Sequence, residues 1–270
     1  MEIKHVFLVL ADISGYTRFV KYHTLSLLHA EQIITELLES VIDAADHPLT
    51  LSKLEGDAAF FYAESGPDTV AATKAVTKQV IGFFQAFKSR EGALRFRESD
   101  CACDACHRID ELKLKAVLHY GDVAFKRIRQ FEELAGENVI LAHRLLKNSI
   151  QAKEYILMTE AFYGSSGGIE GQTPESRTEE CEGLGEVKVR VFYPRADGSE
   201  AKHPLPQRIA LGDRIAVGSR MTFYAFLRAI GLKSRRSFTH LSDEHLNVGD
   251  YMAGTFASAL GILFRRKSVG

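Results

Sequence analysis

Apolar and polar positions along the chain alternate between two periods. Val6 to Ala11 is an unbroken apolar run, the pattern of a strand covered on both faces. It ends at Asp12-Ile13-Ser14-Gly15, a turn-forming and capping cluster. Ala30, Ile33, Ile34, Leu37, Leu38 and Val41 then recur at three- and four-residue spacing, which predicts an amphipathic helix closed by His47-Pro48. Leu49–Leu54 and Ala58–Ala63 read as two strands around a tight Glu55-Gly56-Asp57 turn. Pro67 to roughly Lys88 reads as a second helix. Leu112–His119 alternates as a strand, and Tyr120-Gly121-Asp122 is expected to turn it into Val123–Phe125. The order so far is β-α-β-β-α-β with a further hairpin strand. Asn138–Asn148 is expected to be a short helix, Tyr155–Thr159 a strand, Phe162–Leu184 an exposed loop and Val187–Tyr193 a closing strand. Glycines 164, 167 and 168 do not sit between a strand and a helix, which argues against a phosphate-cradling loop there.

This pattern predicts an α+β fold with a ferredoxin-like βαββαβ core over 1–195. Pro204 and Pro206 mark the start of a helical C-terminal extension, 196–270, with helices expected at Met221–Leu232 and Tyr251–Phe264. The second of these is uncharged and rich in small residues, but shorter than the ~20 apolar residues that a bilayer span needs. It reads as a docking or dimerisation helix, with membrane-surface association as the minor alternative. The 270-residue chain is 46% hydrophobic and 26% charged with net charge −1, so neither global disorder nor bulk attraction to nucleic acid is expected. The apolar run near the N-terminus ends too early for a signal peptide, which predicts a cytoplasmic protein with reduced cysteines.

In a β-α-β-β-α-β fold the first and third strands commonly lie side by side and antiparallel. Asp12 ends the first and Asp57 opens the third, so two carboxylates far apart in sequence should meet at one sheet edge. Hard oxygen ligands held in that way suit Mg²⁺ or Mn²⁺, which take one or two carboxylates and complete their shell with substrate phosphates. Taken singly, Asp12 is a helix cap and Asp57 a turn residue; the pairing points to chemistry. Lys53 has the parity of Leu49 and Leu51 and so should point to an apolar face, unless it snorkels to water.

Four segments carry a resemblance. Phe7-Leu8-Val9-Leu10-Ala11-Asp12-Ile13-Ser14-Gly15-Tyr16-Thr17, Leu51-Ser52-Lys53-Leu54-Glu55-Gly56-Asp57-Ala58, His119-Tyr120-Gly121, and Gly136-Glu137-Asn138-Val139-Ile140-Leu141-Ala142-His143-Arg144-Leu145 occur in this order. Together they resemble the class III adenylyl and guanylyl cyclase catalytic domains, in a divergent bacterial branch that also carries a short cysteine cluster. The resemblance implies that Asp12 and Asp57, with the Ile13 carbonyl, bind two Mg²⁺ or Mn²⁺ ions that bridge a nucleoside triphosphate. It implies Lys53 and Glu133 as base-contacting residues, Arg144 as the group that stabilises charge on the transferred phosphate, and a homodimer with shared sites. Ile140 stands where the family places an asparagine that orients the ribose, with Asn138 and Asn148 as candidate substitutes on the same helix. A catalytically degenerate nucleotide-binding regulator on the same fold is therefore the alternative.

Cys101-Ala102-Cys103-Asp104-Ala105-Cys106-His107 forms a second constellation. The C-x-x-C spacing of Cys103 and Cys106 lets two thiolates reach one tetrahedral zinc ion, with Cys101, His107 or Cys181 as further ligands. Redox-active or free thiols are the alternative. Haem attachment fits the string but requires export.

Overall fold

The computed structural model describes residues 2–23, 27–97 and 104–194, together with Ser219 and Phe223. These fall into two compact units. One lies within Met1–Tyr16, Ile34–Glu91 and Leu112–Ala201; the other lies within Thr17–Ile33, Gly92–Glu111 and Lys202–Gly270. The helices expected at Met221–Leu232 and Tyr251–Phe264 lie outside the described residues, Phe223 apart.

The first unit is built on one eight-stranded sheet. β1 (Glu2–Ser14) is flanked by β3 (Ala58–Glu64) and β4 (Lys113–Ile128), both antiparallel to it. β2 (Thr50–Glu55) lies outside β3. β5 (Phe131–Ala135) pairs with β4, and β6 (Tyr155–Thr159), β8 (Gly185–Phe192) and β7 (Glu175–Cys181) extend the sheet on the other side. The order is β2-β3-β1-β4-β6-β8-β7, with β4 and β6 parallel. Helices are α1 (Tyr16–Tyr22), α2 (Leu27–Asp43), α3 (Thr69–Arg97), α4 (Asp104–His107), α5 (Glu137–Arg144) and α6 (Glu160–Ser166). The α+β architecture expected from the sequence is the one observed.

β1 is deeply buried through its middle because it has paired neighbours on both edges and cover on both faces; Val6 to Ala11 are at most 1% exposed. One face carries Val6, Leu8 and Leu10, which join Phe60, Val117, Val139, Ala142 and Leu145 in a core beneath α5. On the other face Phe61 meets Phe83 of α3, with ring centroids 5.2 Å apart. Each fully buried side chain of this kind contributes about 1.5–3 kcal/mol relative to exposure. Asp12 keeps the parity of Leu8 and Leu10, so its carboxylate continues the α5-covered face.

Several expectations are corrected. Tyr120-Gly121-Asp122 makes no turn: β4 runs straight through it, with Gly121 paired to Val6. A Cβ on Gly121 would lie 2.5 Å from Asn138 Cγ, so this glycine admits the start of α5 rather than reversing the chain. The reversal lies at Arg129 and Gln130, where Arg129 has φ 57°. Residues 162–184 are not a single loop but hold the body of α6 and the whole of β7. α6 starts at Thr159, which accepts a hydrogen bond from Phe162 N, and closes on Gly167 at φ 68°. β7 is polar because it is an outer strand, so it lacks the apolar alternation that would reveal it. The helix expected at Pro67–Lys88 runs on to Arg97, since Gly92 alone is a weak break; that expected at 138–148 ends at Arg144.

Candidate active site

The hairpin that delivers Asp57 turns on Gly56, whose φ of 66° is a conformation that residues with a Cβ avoid. Across from it, the Ile13 backbone N–H donates to the Asp57 carbonyl at 3.2 Å, stitching the two aspartate-bearing strand ends together. In the ladder Asp12 faces Ala58 on one side and Lys115 on the other. The Ile13 side chain itself is buried in the core, 1% exposed.

The two carboxylates are within hydrogen-bonding reach of each other. Burial, the charge of Asp12 and a hydrogen bond with Asp12 push the Asp57 carboxyl up to about 7, against a weaker downward pull from Lys115. Lys115 Nζ lies 2.9 Å from Asp12 Oδ2 and 3.0 Å from the Leu146 carbonyl, with both side chains of the ion pair less than a fifth exposed. Two adjacent carboxylates, one of them raised by burial and by the other's charge, form a donor set that suits a divalent cation completed by phosphate oxygens. Among the described residues no cluster of three or more His, Cys, Asp or Glu side chains could hold a metal by itself. The fit is therefore to an ion shared with a ligand.

A second group of charges surrounds Lys53. Its Nζ is 2.8 Å from Glu55 and 4.0 Å from Glu133, and sits 5.8 Å from the centre of the Phe60 ring. The parity expectation for Lys53 fails because the β2–β3 register shifts between Leu51 and Lys53, and because the outer strand β2 leaves Leu51 and Leu54 exposed. Glu133 stands in β5, opposite Lys126. His143, from the last turn of α5, reaches Glu55 at 3.1 Å and packs edge-on against Phe60; burial holds its imidazole below the ordinary range.

Arg144 is not joined to the carboxylate pair. Its guanidinium is held by Glu182 in the β7–β8 turn. Ile140, one helical turn earlier, is half exposed. Neither asparagine offered as its substitute is idle. Asn138 Oδ1 faces His119 Nε2 at 2.8 Å, and Asn138 Nδ2 donates to the Asp122 carbonyl. Asn148 Nδ2 donates to the Leu145 carbonyl and to the Tyr155 hydroxyl, while Asn148 Oδ1 accepts from Ile150 N.

Sequence reading missed Lys115. Lys113 and Lys115 are simply the polar positions of the alternation that marks β4, and only the register that sets Lys115 against Asp12 gives Lys115 its meaning. Of the cysteine constellation, Cys101 and Cys103 lie outside the described residues. Cys106 is buried in α4, whereas His107 is exposed at its end. Cys181 is buried in β7, and burial pushes its thiol up.

Residues 34–155 match the family described as "Protein of unknown function (DUF2652)". Over 159 residues the chain is 38% identical to the "Uncharacterized protein Rv2561/Rv2562" of Mycobacterium tuberculosis, an alignment covering 59% of this chain and 72% of that one. The chain belongs to the family of that mycobacterial protein. Among solved structures its fold is that of class III nucleotidyl cyclase domains. The adenylyl cyclase CyaB from P. aeruginosa superposes with TM-score 0.53 at 17% identity, covering 73% of this chain and 97% of that one. The guanylyl cyclase Cya2 gives 0.53 at 12%, covering 74% and 98%. The guanylate cyclase domain of RhGC from Catenaria anguillulae, solved in complex with GTP, gives 0.50 at 14%, covering 72% and 100%. At such identities the likeness is one of fold.

Proposed function

We propose that this protein is a divergent nucleotidyl cyclase, converting a nucleoside triphosphate to a cyclic nucleotide and pyrophosphate. The observation that carries the reading is the contact between Asp12 and Asp57 with Lys115 beside them, at the sheet edge where cyclase-like folds would need a metal-triphosphate site. Asp12, Asp57 and the Ile13 carbonyl would hold two Mg²⁺ or Mn²⁺ ions. Such ions, when bound, lower the pKa of a ribose hydroxyl and offset charge on phosphate oxygens. Lys115 contributes a fixed positive charge next to the same carboxylates, suited to orienting the triphosphate. Lys53 supplies a donor and Glu133 an acceptor to a base edge, and Arg144 stabilises charge on the transferred phosphate once released from Glu182. The known cyclase fold supports a homodimer in which these groups come from two chains.

The test is to incubate the purified full chain with ATP, GTP, CTP and UTP in turn, with Mn²⁺, and to follow product by mass spectrometry. A cyclic product from at least one triphosphate, reduced a hundredfold or more in Asp57→Ala, is the expected result. No cyclic product from any of the four would overturn the enzymatic reading. The second reading, a nucleotide-binding regulator without turnover, rests on exposed Ile140 and on the structural engagement of Asn138 and Asn148. It predicts triphosphate affinity that Asp57→Ala abolishes, with no product in either protein.

No helix among the described residues is long and apolar enough to cross a membrane.

A further inference from the structure

Glu55 and His143 belong to the group of charges around Lys53, yet the cyclase reading gives neither of them a task. Glu55, at the end of β2, divides its carboxylate between donors from two elements. Its Oε1 faces Lys53 Nζ at 2.8 Å and its Oε2 faces His143 Nδ1, in the last turn of α5, at 3.1 Å. A carboxylate can only accept, and burial keeps the imidazole neutral at pH 7, so Nδ1 carries the single ring proton and donates it to Glu55. Phe60 backs both partners, its ring centre 5.8 Å from Lys53 Nζ and 5.0 Å from the centre of the His143 ring. On its other side Lys53 Nζ stops 4.0 Å from Glu133 Oε2, beyond hydrogen-bonding distance. The side chains of Lys53 and Glu133 are 38% and 39% exposed, so a donor and an acceptor stand side by side, unjoined and open to a ligand. Opposite charges this close attract, and a flexible lysine stem would let them meet. The Glu55 carboxylate holds the ammonium back.

We propose that His143 and Glu55 are positioning residues for base selection: the imidazole anchors Glu55 to α5, Glu55 holds Lys53 off Glu133, and the edge of a nucleobase enters the gap so kept. This rests on the nucleotide reading above, which makes Lys53 and Glu133 the groups that meet the base. Nucleobase edges set hydrogen-bond donors and acceptors side by side. A protein donor and acceptor held at a fixed spacing discriminate among such edges better than a pair that must first be pulled apart. With the imidazole gone, Glu55 loses its anchor and Lys53 closes on Glu133. Every base must then break the same ion pair before it binds, and the site loses its preference.

The experiment measures binding rather than turnover, by calorimetry on the full chain with Mn²⁺. The probes are ATP, GTP, CTP and UTP, and tripolyphosphate, which carries no base. Expected for the unaltered chain is a spread of affinities among the four nucleotides. His143→Ala should weaken the tightest of them about fivefold, bringing it towards the weakest, and leave tripolyphosphate within about twofold. Glu55→Ala should do the same, and His143→Ala should add nothing further in that background, since the imidazole acts only through the carboxylate. His143→Asn, whose amide N–H can still reach Glu55, should restore the spread. If the unaltered chain binds nucleotides and the spread is unchanged in His143→Ala, the positioning role is overturned and the nucleotide reading stands. An equal loss of affinity for tripolyphosphate, the mark of general damage, overturns it too. Failure of the unaltered chain to bind any of the four nucleotides would remove the nucleotide reading itself, and this proposal with it.

Discussion

Two polar clusters interrupt the apolar face beneath α5, and they are built on opposite terms. Around His119, every polar group has an answer. The buried imidazole meets Thr159 Oγ1 at 2.8 Å on one nitrogen and Asn138 Oδ1 at 2.8 Å on the other, and Asn138 passes its remaining donor to the Asp122 carbonyl. Burial holds His119 below its ordinary pKa, so the ring is neutral and the network needs no counter-charge. At Asp12 and Asp57 two carboxylates crowd together with a single ammonium nearby, and Asp57 is driven up to about 7. Satisfied networks fix structure; an electrostatic debt left at a sheet edge invites a cation or an anionic ligand carrying one.

The contrast can be broken most sharply at Asp57. Asp57→Asn should reduce cyclic nucleotide formation a hundredfold or more, measured as product with the triphosphate and Mn²⁺ found above. The same change should stabilise the metal-free protein. Because the folded pKa of about 7 lies above the ordinary 3.8, the native state favours the protonated acid. The unaltered protein is then most stable below pH 4 with respect to this group, and loses that contribution as pH rises through 7. Thermal melts in chelator should show Asp57→Asn gaining about 2 kcal/mol over the unaltered protein above pH 7, and nothing near pH 4. A mutant that lost activity and also melted lower at pH 8 would place Asp57 among ordinary structural residues.

His119→Ala should do the reverse: a loss of about 2–3 kcal/mol in urea denaturation above pH 7, from stranded partners and a cavity, shrinking as pH falls because burial holds the native imidazole below its ordinary pKa. Lys115→Met sharpens the difference further. Removing the one ammonium should weaken triphosphate binding about tenfold by calorimetry and raise the Asp57 pKa beyond its present value. The smallest effect belongs to Glu182→Ala. Its bond to Arg144 joins an exposed carboxylate to a partly exposed arginine, so stability should change by less than about 0.5 kcal/mol in the same denaturation. Turnover should hold or rise, since the arginine is freed.

How much of this was legible beforehand follows from the reach of each signal. β1, the β2–β3 hairpin and β6 announce themselves through local period and turn chemistry, and the meeting of Asp12 with Asp57 follows from strand order alone. Lys115 was invisible because its role depends on cross-strand register, which no local pattern states. β5 and β7 escaped because their residues, Glu132 and Glu133 or Glu179 and Glu180, carry no apolar alternation. Gly121 misled through its composition: a glycine that admits Asn138 looks, in sequence, like one that turns the chain. The contact of Cys106 Sγ with His29 Nδ1, 3.7 Å apart, joins elements far apart in the chain and was likewise out of reach.

The bond from Ile13 N–H to the Asp57 carbonyl has a consequence for how this protein can change over time. The span between the two acids is set by main-chain atoms, which every residue except proline supplies. Side chains around the edge can therefore be exchanged freely while the separation of Asp12 and Asp57 is inherited intact. The Arg144 guanidinium, by contrast, is held through the side chain of Glu182, and its placement changes whenever that residue is replaced. A lineage on this scaffold should keep its acidic pair long after the side chains around it have been exchanged.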